Sequence, residues 1–132
     1  AVVTWTEPTA TDNCDILSFD SDIAPGTTFD VGTTTVIYTA EDIHGNISVD
    51  SFMVTVSDTT KPVIADMPGD IGVDNDEGVC SAVVTWTEPT ATDNCDILSF
   101  DSDIAPGTTF DVGTTTVIYT AEDIHGNISV DS

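Results

Sequence analysis

Basic residues are almost absent from this sequence: Lys61 stands alone among 132 residues, against 24 Asp and Glu and a formal net charge of −23. Nucleic acid and anionic membrane surfaces both demand a basic face, so neither is an expected partner, and cations are the natural ones. No apolar run approaches the roughly 18 residues of a membrane span, and no signal peptide is visible. Helical periodicity is missing over any useful length. Catalytic patterning is missing as well. No His stands beside a plausible nucleophile, no glycine-rich phosphate loop occurs, and the carboxylate pairs have no apolar surround to raise a pKa. An enzyme is therefore not expected.

What is present is one sequence written twice. Ala1–Ser51 is identical to Ala82–Ser132, an offset of 81 residues, which makes the chain a tandem repeat. The period runs from about Asp58, so the numbered ends fall inside repeats. The expected frame is a window on a longer array: residues 1–58 form a module without its first strand or strands, and residues 59–132 one without the end of its last strand. A unit of this size sits near the limit where domains often need a disulfide, a metal or a partner.

The repeat reads as strands and turns. Val83–Thr87 is rich in β-formers, and its alternation places Ala82, Val84 and Trp86 on one face. Ile97–Phe100 follows a loop of Pro, Thr, Asp and Asn, and a short strand near Thr109–Phe110 is punctuated by Gly107 and Gly113. Thr114–Ala121 is the clearest strand. In the first copy Ile47–Val56 supplies the last one, with Phe52, Val54 and Val56 pointing the same way, while Pro62–Ile64 and Ile71–Val73 read as a broken first strand. About seven short strands per period, with turns every 8 to 12 residues or so, predict an all-β chain of tandem immunoglobulin-like β-sandwich modules.

Two strings carry a family resemblance. Gly113–Asn127 (GTTTVIYTAEDIHGN) is one; Gly78–Trp86 (GVCSAVVTW), followed by Thr92-Asp93-Asn94-Cys95, is the other. Together they resemble the signature of the HYR, or hyalin repeat, family over essentially the whole period. The resemblance implies an extracellular immunoglobulin-like module of the kind found in bacterial surface proteins and in animal matrix and adhesion proteins. The sequence also departs from that pattern. Many members carry a cysteine where Met67 stands and its partner where Asp50 and Asp131 stand, so that staple is absent, and greater dependence on metal would be one compensation.

Three cysteines remain. In the repeat frame Cys80 and Cys95 belong together, whereas Cys14 matches Cys95 and its partner falls outside the chain. A Cys80–Cys95 disulfide would close a short loop, worth on the order of 3 kcal/mol, and implies an oxidising compartment. Thiols and an intermolecular bridge are the alternatives. The bond has a geometric condition: on a straight Trp strand the two cysteines start at opposite ends, so residues 88–95 must fold back alongside.

Topology turns the acids into a site hypothesis. In an immunoglobulin-like sandwich the loop after the Trp strand and the loop between the last two strands return to the pole where the chain enters. Glu88, Asp93 and Asn94 should therefore gather with Glu122, Asp123 and Asn127 around the linker acid Asp58. Hard oxygen donors at irregular spacing suit calcium better than magnesium, which prefers octahedral sites and keeps its waters. The equivalent pole of the first copy holds Glu7, Asp12, Asn13, Asp42 and Asn46. Asp74, Asp76 and Glu77 at the opposite pole lack the spacing of an EF-hand loop.

Plainer readings stand beside these. Asp-x-x-Gly-Asn is often only a turn, with Asp and Asn bonding the backbone. Asp20, Asp22, Asp101 and Asp103 read as a solvated face, Trp5 and Trp86 as core, and His44 and His125 lack a second His or Cys for zinc. Asn46-Ile47-Ser48 and Asn127-Ile128-Ser129 match the glycosylation sequon. The reading favoured is a structural tandem module of an extracellular or cell-surface fibre, filament or stalk. Its partners are neighbouring identical repeats and possible further chains of the same filament, with calcium at each junction and one disulfide per repeat. The alternatives are an adhesin or glycan-binding module, and a subunit that polymerises by strand donation between chains.

Overall fold

Alternation of β-branched and polar residues, broken by Gly, Pro and Asp, yields twelve strands and no helix. The structure is a computed structural model describing residues 1–132, and the chain divides into two units, Ala1–Asp58 and Thr59–Ser132. In the first unit the strands are β1 (Val2–Val3), β2 (Ile16–Ser21), β3 (Thr27–Thr28), β4 (Gly32–Asp42) and β5 (Ile47–Val56). β1 pairs with β3, and β2, β4 and β5 form an antiparallel sheet with β4 central. The β4–β5 ladder runs unbroken from Gly32↔Val56 to Glu41↔Ile47. Asp42 N donates to Asn46 O at 3.0 Å to close its turn, where Gly45 takes the φ of +83° that L side chains rarely adopt.

Phe29, Val36, Tyr38 and Val54 are the buried centre of this unit, with Val3, Trp5, Phe19, Ile23 and Val56 packed around them. Trp5 lies edge-on to Phe52 at 5.1 Å between ring centroids, and its Nε1 donates to the Tyr38 hydroxyl at 2.7 Å. Tryptophan is thus core, and its polar edge is satisfied inside.

The second unit holds β6 (Val63–Ala65), β7 (Ser81–Val84), β8 (Thr90–Thr92), β9 (Ile97–Ser102), β10 (Thr108–Asp111), β11 (Tyr119–Asp123) and β12 (Ile128–Asp131). Here β7 pairs with β10, β6 with β8, and β11 lies between β9 and β12, every pair antiparallel. The two units are all-β, immunoglobulin-like modules, and they differ where their covering strands differ. Val36, paired along β4 with Phe52 of β5, is 0% exposed, while its counterpart Val117, which has no ladder partner, is half-buried. Conversely Ala121 is 0% exposed, while its counterpart Ala40 is half-buried. Identical residues are buried to different extents according to the strands that neighbour them.

Three expected strands change. The Trp strand is two pieces, β7 and β8, with Trp86 in the irregular stretch between them; alternation still buries Ala82 and half-buries Val84 and Trp86. Ile71–Val73 forms no strand. The run expected over Thr114–Ala121 has a ladder only from Tyr119, because its neighbour β12 covers only Ile128–Asp131.

The structure places Cys80 and Cys95 apart. Val112 N donates to Cys80 O at 3.1 Å, so Cys80 sits at the start of the 113–123 run. Cys95 Sγ lies within 4.8 Å of a His125 ring nitrogen, at the far end of that run. The identical run Gly32–Asp42 is a single 11-residue strand, which spans roughly 34 Å. A disulfide requires Cα atoms within about 7 Å. In this arrangement the two cysteines of one repeat stand at opposite ends of that run.

Candidate cation site

The hairpin turn after β11 repeats a motif in which one Asp serves the whole loop. Asp123 Oδ1 accepts the backbone N–H of His125 and of Asn127, each at 2.8 Å, and Oδ2 accepts the Asn127 side-chain amide at 2.7 Å. Asp123 N donates to Asn127 O at 3.1 Å. The same four contacts recur at Asp42, His44 and Asn46 in the first unit. The turn reading is therefore correct for these residues, and it fixes a carboxylate rather than leaving it free to swing.

In the second unit a further carboxylate meets that fixed one. Asp93 Oδ2 accepts the Cys95 N–H at 2.9 Å, which curls the loop before β9. A carboxylate oxygen of Asp93 lies within 4.8 Å of one of Asp123, and Asp123 is 0% exposed. Asp93 Oδ1 is itself buried and has no hydrogen-bond partner. Two like charges this close, one on a fully buried residue and the other with an unmet buried oxygen, repel unless a cation intervenes. Carboxylate, amide and carbonyl oxygens are the donor set of a hard divalent cation, so these residues fit calcium.

The other expected ligands divide. Asn127 belongs to the cluster through Asp123, and Asn94 Nδ2 contacts Cys95 Sγ at 3.6 Å in the same loop. Glu88 is exposed in the irregular stretch before Pro89. Glu122 alternates with Asp123 along β11, so it points to the opposite face. Asp58 ends the first unit, half-buried, one bond before Thr59. In the first unit Asp42 is 8% exposed, and Asp12 accepts the Cys14 N–H at 2.9 Å. Glu7 and Asn13 are exposed.

Some acids have work that sequence did not reveal. Asp22 and Asp103, read as solvated, are exposed but accept the N–H of Ile37 and Ile118 at 2.8 Å, tying the ends of β2 and β9 to the neighbouring run. Asp76 Oδ2 accepts Val83 N–H at 3.1 Å, making the Asp74–Gly78 run a structural turn. The proximity of Cys95 to His125 was likewise invisible, since the two are 30 positions apart and meet only through the loop before β9.

Comparison with known proteins now adds to this geometry. The family model for the HYR domain matches residues 1–56 and again 57–130. The chain belongs to the HYR family. The HYR chain is 42% identical over 129 residues to hyalin of Lytechinus variegatus, covering 95% of itself and 24% of that protein. Against hyalin of Strongylocentrotus purpuratus it is 43% identical over 129 residues, 95% of itself and 11% of the relative. It is 35% identical over 133 residues to the sushi, von Willebrand factor type A, EGF and pentraxin domain-containing protein 1 of Rattus norvegicus, 96% of itself and 4% of the relative. The HYR chain thus spans under a quarter of the length of each of these relatives. No solved structure matches it. No helix is long and apolar enough to cross a membrane.

Proposed function

We propose that this chain is a structural tandem module of an extracellular fibre, stalk or matrix assembly, and that calcium bound at the Asp93–Asp123 pole stiffens the join between repeats. Verbatim repetition supports the structural part, because a spacer needs length and uniform stiffness rather than one unique binding face. Matches to hyalin, which is itself many times longer than this chain, agree with a repeated role outside the cell.

One observation carries the calcium part: the buried, unpartnered Oδ1 of Asp93 beside the fully buried Asp123. A divalent cation satisfies both carboxylates at once. Asp58 stands at the boundary of the two units, in the linker that leads into Thr59, and is the linker carboxylate whose substitution tests the stiffening.

The test is small-angle scattering on the 132-residue chain, titrated with calcium and then with EDTA. Calcium is expected to lengthen and sharpen the pair-distance distribution, EDTA to reverse it, and Asp93→Asn or Asp58→Ala to abolish the response. At about one hundred times its dissociation constant, the ion should also stabilise by roughly 2.7 kcal/mol. A profile and melting temperature indifferent to calcium would leave the acids as surface charge and end the proposal.

A further inference from the structure

Along the chain His125 has no other His or Cys beside it, which is why the sequence offers no zinc site. The fold brings one to it. Cys95 Sγ lies within 4.8 Å of a His125 ring nitrogen, so a thiol from the loop before β9 meets an imidazole from the turn after β11. Both residues belong to the second unit.

One device holds both side chains. Asp93 Oδ2 accepts the Cys95 N–H at 2.9 Å, and Asp123 Oδ1 accepts the His125 N–H at 2.8 Å. In each loop, then, a carboxylate fixes the backbone of the residue two positions on. The two carboxylates also lie within 4.8 Å of each other, so the loops meet through two pairs, Asp93 with Asp123 and Cys95 with His125. Asn94 Nδ2 contacts Cys95 Sγ at 3.6 Å, an N–H donor of the kind that orients a metal-bound thiolate. Cys95 is half-buried and His125 exposed, which shelters the sulfur and leaves the imidazole side open to an ion from solvent. Beside them the buried Asp93 Oδ1, without a hydrogen-bond partner, is an oxygen that a bound ion would satisfy.

We propose that Cys95, His125 and Asp93 form a site for a borderline divalent cation of the zinc class. Calcium takes oxygen ligands and has no use for a thiolate or an imidazole, whereas zinc binds Cys, His and Asp together in a four-coordinate site. Water completes the coordination, and the thiol gives up its proton to the solvent on binding. Zinc bonds of about 2.3 Å to sulfur and about 2.0 Å to nitrogen set those atoms roughly 3.5 Å apart in a tetrahedron, a closure within reach of the exposed His125 ring. Two of the three ligands are ones that calcium does not use, so the site stands or falls apart from calcium binding.

The experiment titrates cobalt(II), the coloured stand-in for zinc, into the reduced 132-residue chain carrying Cys14→Ser and Cys80→Ser, which leaves Cys95 as its thiol. A thiolate-to-cobalt charge-transfer band in the near ultraviolet and the strong visible bands of four-coordinate cobalt are expected at one equivalent, and zinc should bleach both. His125→Ala should weaken cobalt binding at least tenfold, and Asn94→Ala about tenfold through the lost contact to sulfur. Cys95→Ser should abolish the charge-transfer band yet leave the calcium response in scattering intact, which separates a failure here from a failure of the calcium reading. Absence of the band from the parent chain overturns the site, and so does a band whose strength and affinity His125→Ala leaves unchanged.

Discussion

Asp42 shows how a single carboxylate is held by its own turn. The Asn46 side-chain hydrogen bond, followed by the Asn46 backbone N–H, lowers its pKa below the ordinary 3.8, and burial opposes them only in part. Because the folded value is depressed, the unfolded chain takes up the proton first. Asp42's contribution to stability is complete above the ordinary carboxylate range and is lost as pH falls through the folded value. Asn46→Ala removes the largest cause. A 13C titration of that variant should place the Asp42 carboxyl nearer 3.8, with a smaller loss of stability in acid; an unmoved midpoint would show that the amide is not what holds it. The tryptophan edge offers a second residue-scale test. Trp86 Nε1 donates to the Tyr119 hydroxyl at 2.8 Å, and Tyr119 is 3% exposed. Trp86→Phe removes the donor from a buried hydroxyl and should cost about 1–3 kcal/mol beyond the lost ring area.

Strands, rather than residues, decide what counts as core here, and the repeat supplies its own control. Val36→Ala removes two carbons that are fully buried where β4 pairs with β5; at about 0.8 kcal/mol each, plus a cavity, the cost should reach roughly 2–3 kcal/mol. Val117→Ala, the same change at a half-buried site, should cost under about 1 kcal/mol. Inserting carbons reverses the ranking. Ala121→Val overpacks a fully buried site and should cost roughly 1–3 kcal/mol, whereas Ala40→Val adds its carbons at a half-buried site and should be tolerated. Native-state hydrogen exchange, read unit by unit, separates the four effects. Equal costs in the two units would mean that cover by β5 and β6 is not what differs. These pairs also mark what the sequence could disclose. Alternation identified the inward faces of β4, β5 and β7, and the Asp-x-x-Gly-Asn spacing identified the turn. Whether an inward residue is buried depends on a strand tens of residues away, so no local pattern distinguishes Val36 from Val117. The Asp93–Asp123 pairing was legible because it follows from loop polarity in a sandwich. The break at Thr85–Pro89, where Glu88 is exposed, and the period of two along β11, which sets Glu122 on the other face from Asp123, were not legible in the sequence.

For the molecule as a whole, the position of the cysteines sets what oxidation can join. Cys80 neighbours Val112 and Cys95 neighbours His125, so a repeat carries one thiol at each end of its longest strand run. Loop-closure reasoning from the sequence assigns a Cys80–Cys95 bond about 3 kcal/mol, but a loop that cannot bring its ends within about 7 Å gains nothing from that entropy. Oxidation should therefore leave the second unit's stability unchanged and should give no Cys80–Cys95 link inside a monomer. The expected products are bonds between different repeats or different chains, because an exposed Cys80 and an exposed Cys14 are both accessible to an incoming thiol. Peptide mapping of the oxidised monomer and dimer bands, resolved without reductant, reads this directly. Recovery of the intramolecular Cys80–Cys95 peptide from monomer, with a melting temperature that drops on reduction, would require the loop before β9 to leave Asp123 and cross the length of the sandwich. That movement would also break the Asp93–Asp123 pair, so calcium should protect against it, and the same mapping repeated with and without calcium would register the competition between the two staples.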